Sequence, residues 1–218
     1  MPALARASAK KRTVELFDPA TLADLKFRAK KQLRTRLRRL RAAHPEAVLA
    51  QASERVVERV LALPAFQAAQ GVGLYCPITE RRELDVRRLA AAALAAHKRI
   101  YFPYLQPKPA GFNTGFREVR SVAELGLRGQ SFCEPPPEAS SAERGEIDLL
   151  IVPALAAAAD GHRLGYGSGF YDATLPDFCP PGKALIVIFE FQLLAELPVT
   201  EYDVPCSWVV TDRRTLEI

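Results

Sequence analysis

The chain has 218 residues, 49% of them apolar and 25% charged, the composition of one soluble globular domain with a tail. Twelve glycines and seventeen prolines are too few and too scattered for a collagenous or low-complexity chain. No charge-free apolar run reaches the ~18 residues of a spanning helix, which excludes a helical membrane span. The net charge of +5 hides an asymmetry: residues 1–50 carry thirteen Lys/Arg against four acids, a local +9, while the remainder carries −4. Positive charge so concentrated implies an anionic partner near the N-terminal segment, whether nucleic acid, an acidic lipid surface or the phosphates of a small ligand.

Residues 1–17 are small, basic and weakly periodic, with no apolar core of a secretory signal, and are expected to form a disordered tail ahead of a domain over 18–218. Asp18 followed by Pro19 reads as a capped helix start. Leu22, Leu25, Leu33, Leu37 and Leu40 then keep helical spacing, with Lys26, Lys30, Lys31, Arg34, Arg38 and Arg41 on the other face, so the first helix is basic and amphipathic. His44-Pro45 ends it, and a second helix runs to Pro64.

From residue 71 short apolar runs alternate with helical stretches. GVGLYC (71–76), RIYFPYL (99–105), Phe112–Val119, DLLIVP (148–153), ALIVIF (184–189) and SWVVT (207–211) read as strands, Leu84–His97 as an alanine-rich helix, and EPPPEASSAERGE (134–146) as a surface loop. The order predicts a single three-layer α/β domain with a mostly parallel sheet, preceded by the basic N-terminal helix.

Cys76, Cys133, Cys179 and Cys206 form no CxxC pair and sit among apolar or proline neighbours, so they read as reduced thiols of a cytoplasmic protein rather than zinc ligands. His44, His97 and His162 show no ligand or triad spacing.

The segment DGHRLGYGSGFYD (160–172) concentrates the chemistry. Gly165, Gly167 and Gly169 alternate after a strand and a short alanine linker, so that backbone N–H groups can form a nest for phosphate oxygens. A helix starting near Gly169 adds its positive end. The spacing is neither the dinucleotide fingerprint, since Phe170 stands at the third glycine, nor a P-loop. Arg163 can neutralise phosphate and Asp172 can hold Mg²⁺ beside it. An isolated glycine turn of this kind is otherwise only a flexible connection.

With these flanking residues, Gly161-His162-Arg163-Leu164-Gly165-Tyr166-Gly167-Ser168-Gly169-Phe170-Tyr171-Asp172 resembles the signature Gly-x-Arg-Leu-Gly-x-Gly-x-Gly-Tyr-Tyr-Asp of the 5-formyltetrahydrofolate cyclo-ligases, differing only at Phe170. The resemblance extends to Lys30-Lys31-Gln32-Leu33-Arg34, Tyr75–Asp85, the strand ending in Pro153 and Gln192–Asp203, about residues 26–212 in all. It implies an ATP- and Mg²⁺-dependent ring closure of 5-formyltetrahydrofolate to 5,10-methenyltetrahydrofolate, releasing ADP and phosphate by way of a phosphorylated formyl oxygen. Lys30 and Arg34, together with Arg163, Leu164, Gly165, Tyr166, Gly167, Ser168, Gly169, Phe170 and Tyr171, match the ATP contacts, with Arg163 and Tyr171 nearest the chemistry. Asp172 and Asp203 match the Mg²⁺ carboxylates. Cys76, Tyr166, Phe170 and an acid match the folate contacts; that acid is Glu83 if two residues are inserted before it, and Glu80 otherwise. Such a protein works on small molecules as a monomer or weak homodimer, without a membrane or nucleic-acid partner.

The chain departs from the family pattern where Ala158 and Ser207 replace acidic residues. A relative that binds folate or nucleotide without catalysis is therefore one alternative. A nucleic-acid binder using the basic helix is another, but it leaves the glycine loop unexplained and lacks interleaved aromatics.

Overall fold

The computed structural model of the chain describes residues 18–109, 111–128 and 132–218; the expected tail at 1–17 lies outside them. Helix α1 spans Pro19–Ala43, and the Asp18 side chain accepts hydrogen bonds from the amides of Ala20 and Thr21 at its start. It is followed by α2 (Glu46–Leu61), a short α3 (Pro64–Ala68), β1 (Gly71–Gly73), α4 (Arg87–Ala95), and the long hairpin β2 (Arg99–Lys108) and β3 (Gly111–Val119). Then come β4 (Gly126–Leu127), β5 (Cys133–Glu134), β6 (Leu149–Pro153), β7 (Ala156–Ala158), β8 (Arg163–Leu164) and α5 (Phe170–Phe178). The chain finishes with β9 (Lys183–Val187), β10 (Leu193–Leu194), β11 (Trp208–Val210) and β12 (Thr215–Glu217).

Seven strands form the main sheet in the order β12-β11-β9-β6-β1-β2-β3. The five inner strands run parallel, and antiparallel β3 and β12 close the edges. Alternation along each strand sends side chains to opposite faces. Val72, Ile100, Phe102, Leu149, Ile151, Leu185, Val187, Trp208 and Val210 meet α2, α3 and α4 in one core. Tyr101, Leu150, Val152, Ala184, Ile186, Ile188 and Val209 meet Leu175 and Phe178 of α5 in the other. Burial on both faces is why these segments read as continuous apolar runs, and the three-layer expectation holds.

Two features differ from the sequence expectation. The alanine run is no linker: Ala156–Ala158 is a fully buried strand, pairing antiparallel with β8 and parallel with β10 in a separate three-stranded sheet. Alanine has little intrinsic preference for strands, but hydrogen-bonded partners on both sides override it.

The second difference concerns α1. Of its five spaced leucines, only Leu33 and Leu37 pack, against Leu155, Ala156 and Leu164 beneath. Leu22 and Leu25 remain 43% exposed and Leu40 40%. The small sheet supplies a floor for only the middle of a 25-residue helix, so the apolar stripe outruns its partner.

Candidate active site

The site lies where α1 crosses the loop between β8 and α5. The cations of α1 expected on the open face turn inward. Lys30 Nζ contacts both carboxylate oxygens of Asp203, at 2.7 and 2.5 Å. Arg34 Nε donates to the Gly165 carbonyl at 2.9 Å, Arg38 Nη2 to the Tyr166 carbonyl at 3.2 Å, and Arg41 Nη1 to the Tyr166 hydroxyl at 2.9 Å. Steps of four, four and three residues keep all four on one helical stripe. Arg38 and Arg41 were missed as site residues from sequence, although that periodicity was the signal for them.

The loop is shaped by its glycines. Gly167 has φ +111° and Gly169, which starts α5, φ +72°, conformations that a side chain disfavours. A Cβ at Gly165 or Gly169 would meet no atom within 4 Å, whereas one at Gly161 would fall 2.4 Å from the Cys206 carbonyl. Gly161 is therefore a packing glycine, and Gly165 and Gly169 border open space. Ser168 is exposed between them, and Leu164 is buried beneath with the α1 leucines.

Beneath the loop, Arg163 is 6% exposed. It donates to the Val204 carbonyl at 2.6 Å and to Asp172 Oδ1 at 2.7 Å, and it faces the Tyr171 ring at 5.9 Å. The expected phosphate ligand is thus already committed to Asp172. Val204 N also donates to Asp172 at 3.3 Å, which brings the backbone beside Asp203 to the same point. Both carboxylates act electrostatically on Arg34, whose pKa is lowered, chiefly by burial and then by Arg38, while Asp203 and Asp172 oppose the shift. Burial alone would raise the Asp203 carboxyl, but hydrogen bonds from Lys30 and Thr200 outweigh it and hold the group below the ordinary aspartate value.

Among the described residues no cluster of three or more His, Cys, Asp or Glu side chains forms a metal cage. Mg²⁺ ordinarily takes one or two protein carboxylates and completes its shell with water and substrate phosphate. Asp172 and Asp203, flanking a glycine loop and a cationic stripe, suit that mode of binding.

The aromatic side of the site is built from Tyr75, Tyr166 and Tyr171. Burial raises all three hydroxyls well above their usual value, and Glu83 adds to each shift, so the Glu83 carboxylate sits among them. Glu83 Oε2 accepts from the Ile78 amide at 2.9 Å. Glu80, by contrast, is exposed on a 3₁₀ turn. Phe170 packs edge-on against Phe116, Phe132 and Tyr171, an aromatic cluster on the α5 side of the loop. Cys76 does not join the tyrosines: its thiol neighbours Cys133 and Arg87, and burial pushes it up to about 11.

The replaced positions are also built in. Ala158 is buried and hydrogen-bonds His162 across the β7–β8 turn, and the Ser207 backbone pairs with Ala184 and Ile218 at the sheet margin.

A sequence model of the 5-formyltetrahydrofolate cyclo-ligase family matches residues 26–212. The chain is 33% identical to 5-formyltetrahydrofolate cyclo-ligase of Mycolicibacterium smegmatis, over 86% of this chain and 95% of that one. It is 32% identical to the Escherichia coli K12 protein of the same name, over 82% and 97%. Its fold superposes on 5,10-methenyltetrahydrofolate synthetase of Aquifex aeolicus with a TM-score of 0.74 and 30% identity, over 86% of this chain and 92% of that one. The Mycoplasma pneumoniae synthetase gives a TM-score of 0.67 at 19% identity, over 84% and 98%, a likeness of fold alone. With the glycine loop, the cationic stripe and these likenesses in agreement, this enzyme belongs to the 5-formyltetrahydrofolate cyclo-ligase family.

Proposed function

We propose that this enzyme converts 5-formyltetrahydrofolate to 5,10-methenyltetrahydrofolate at the expense of ATP. Cyclo-ligase activity is supported by the family match and by the named relatives. The observation that carries the ATP-dependent mechanism is the stripe Lys30–Arg34–Arg38 laid against a loop whose Gly165 and Gly169 face open space.

The γ-phosphoryl group passes to the formyl oxygen, breaking its bond to the ADP oxygen. N10 of the folate then attacks the formyl carbon, the C–O bond breaks, and phosphate leaves with that oxygen. Phosphoryl transfer asks the protein mainly to position the reactants and balance charge. Lys30 and Arg34 face the phosphates from α1, and the amides of Gly165, Gly167, Ser168 and Gly169 line the opposite side. Arg163 contributes positive charge from beneath and orients Asp172, while Tyr171 covers that guanidinium. Mg²⁺, held by Asp172 and Asp203, screens the charge of the triphosphate. Glu83, with Tyr166 beside it, recognises the N–H donors of the pterin, and Phe170 walls the same side.

The stripe's engagement with the loop favours this reading over a nucleic-acid binder. No described helix is long and apolar enough to cross a membrane, and we infer a cytoplasmic monomer or weak homodimer. The test is an absorbance assay with 5-formyltetrahydrofolate, Mg²⁺ and ATP. Methenyl product that requires ATP establishes the activity; folded protein that binds both ligands without turnover assigns the Ala158 and Ser207 replacements to a non-catalytic relative.

A further inference from the structure

Arg41 is the most buried charged side chain among the described residues, at 3% exposed. Buried guanidinium groups are ordinarily paired with acids. Here no carboxylate among the described residues lies within 4 Å of it. Its Nη1 donates to the Tyr166 hydroxyl at 2.9 Å, and its Nε has no hydrogen-bond partner among those residues.

The tyrosine it holds is itself enclosed by cations. The guanidinium carbons of Arg38, Arg41 and Arg81 stand 5.8, 5.7 and 5.5 Å from the centre of the Tyr166 ring. A phenol has one proton to give and lone pairs to receive. With Arg41 on a lone pair, the proton is left for another acceptor, and the Glu83 carboxylate is within hydrogen-bonding reach of the same hydroxyl. Glu83 is restrained independently by the Ile78 amide on Oε2. A cation at the head of a hydrogen-bond chain strengthens the links that follow.

We propose that Arg41 is a positioning residue that acts through the Tyr166 hydroxyl to orient the Glu83 carboxylate toward the folate. The inference rests on the reading of Glu83 as the folate contact. It accounts for a buried cation without an acid: its counter-charge lies one tyrosine away, and a direct ion pair would occupy the carboxylate that the substrate needs.

The test measures KM for 5-formyltetrahydrofolate and for ATP separately in Arg41→Met, Arg41→Lys, Tyr166→Phe, Glu83→Gln and the Arg41→Met/Glu83→Gln double variant, each with its melting temperature. Arg41→Met is expected to raise the folate KM about tenfold, the effect of losing one hydrogen bond to a charged group, with the ATP KM unchanged and partial rescue in Arg41→Lys. The double variant is expected to be no worse than Glu83→Gln alone. Full additivity of the two changes, or equal loss of both substrates, overturns the relay while leaving Glu83 in place. An unchanged folate KM in Glu83→Gln overturns the Glu83 assignment and the relay with it. Tyr166→Phe removes only the hydroxyl, so a normal folate KM in that variant overturns the relay even if Arg41→Met fails to fold.

Discussion

Lys30 and Asp203, 173 residues apart in the chain, form a part-buried ion pair that fastens the middle of α1 to the loop before β11. Each is also assigned to the nucleotide, one to its phosphates and the other to its metal. Removing Lys30 should therefore have two effects. Lys30→Met is expected to raise the KM for ATP more than that for folate, and to cost about 1–2 kcal/mol of stability, a typical loss for a hydrogen bond to a charged group that is only partly buried. Urea unfolding and initial rates at varied ATP measure both; a change in folate KM alone contradicts the assignment.

The same pair sets a pH dependence. The Asp203 pKa is lowered in the folded protein relative to its usual value of about 3.9. A depressed carboxyl stabilises the fold fully above its unfolded value, and that contribution is lost as pH falls through the folded value. Asp203→Asn should thus be less stable than the parent at pH 6, and the gap should close toward pH 3. Unfolding free energies at the two pH values decide it, and a gap independent of pH would show that the charge on Asp203 is not what stabilises.

The glycines of the loop separate packing from binding. Gly165→Ala adds a methyl into open space, so its melting temperature should match the parent while ATP affinity falls. Gly161→Ala drives a methyl against the Cys206 carbonyl at a positive φ and should lose more than 2 kcal/mol of stability, combining overpacking with backbone strain. Melting temperatures with and without ATP distinguish the two. Normal ATP affinity in Gly165→Ala would remove the loop from the nucleotide site.

Glu83 and Glu80 lie three residues apart in very different surroundings, one among buried tyrosines and the other exposed. Glu83→Gln keeps the shape and removes the charge, and should raise the folate KM about tenfold or more. Glu80→Gln should change neither KM. The reverse result would place the insertion in this segment differently and move the folate contact to Glu80.

Burial pushes the thiols of Cys76 and Cys206 up to about 11. Since the thiolate is the reactive form, both should resist iodoacetamide at pH 7.5 and react faster above pH 9 in protein that remains folded. Rapid alkylation of either at neutral pH, read by peptide mass, would contradict that burial.

How much of this was legible in the sequence follows from the range of the forces involved. The parallel strands were readable because burial on both faces leaves an unbroken β-branched run, as in Leu149–Val152, and the start of α1 because Asp18 and Pro19 act within one turn of each other. The glycine loop was readable because backbone conformation is a local property, and the residues lining it are consecutive. Tertiary structure decided the rest. Nothing local distinguishes Arg38 and Arg41, which grip Tyr166, from Arg36 and Arg39, which remain exposed on the same helix. That choice depends on where a small sheet made of Ala156–Ala158 and its neighbours sets the rotation of α1. Likewise the pairing of Asp172 with Arg163 and of Asp203 with Lys30 joins segments separated by 9 and 173 residues. A chain pattern fixes which charges exist, but their pairing is decided by distance in the folded state, because an ion pair has strength only across a few ångströms of low-dielectric space.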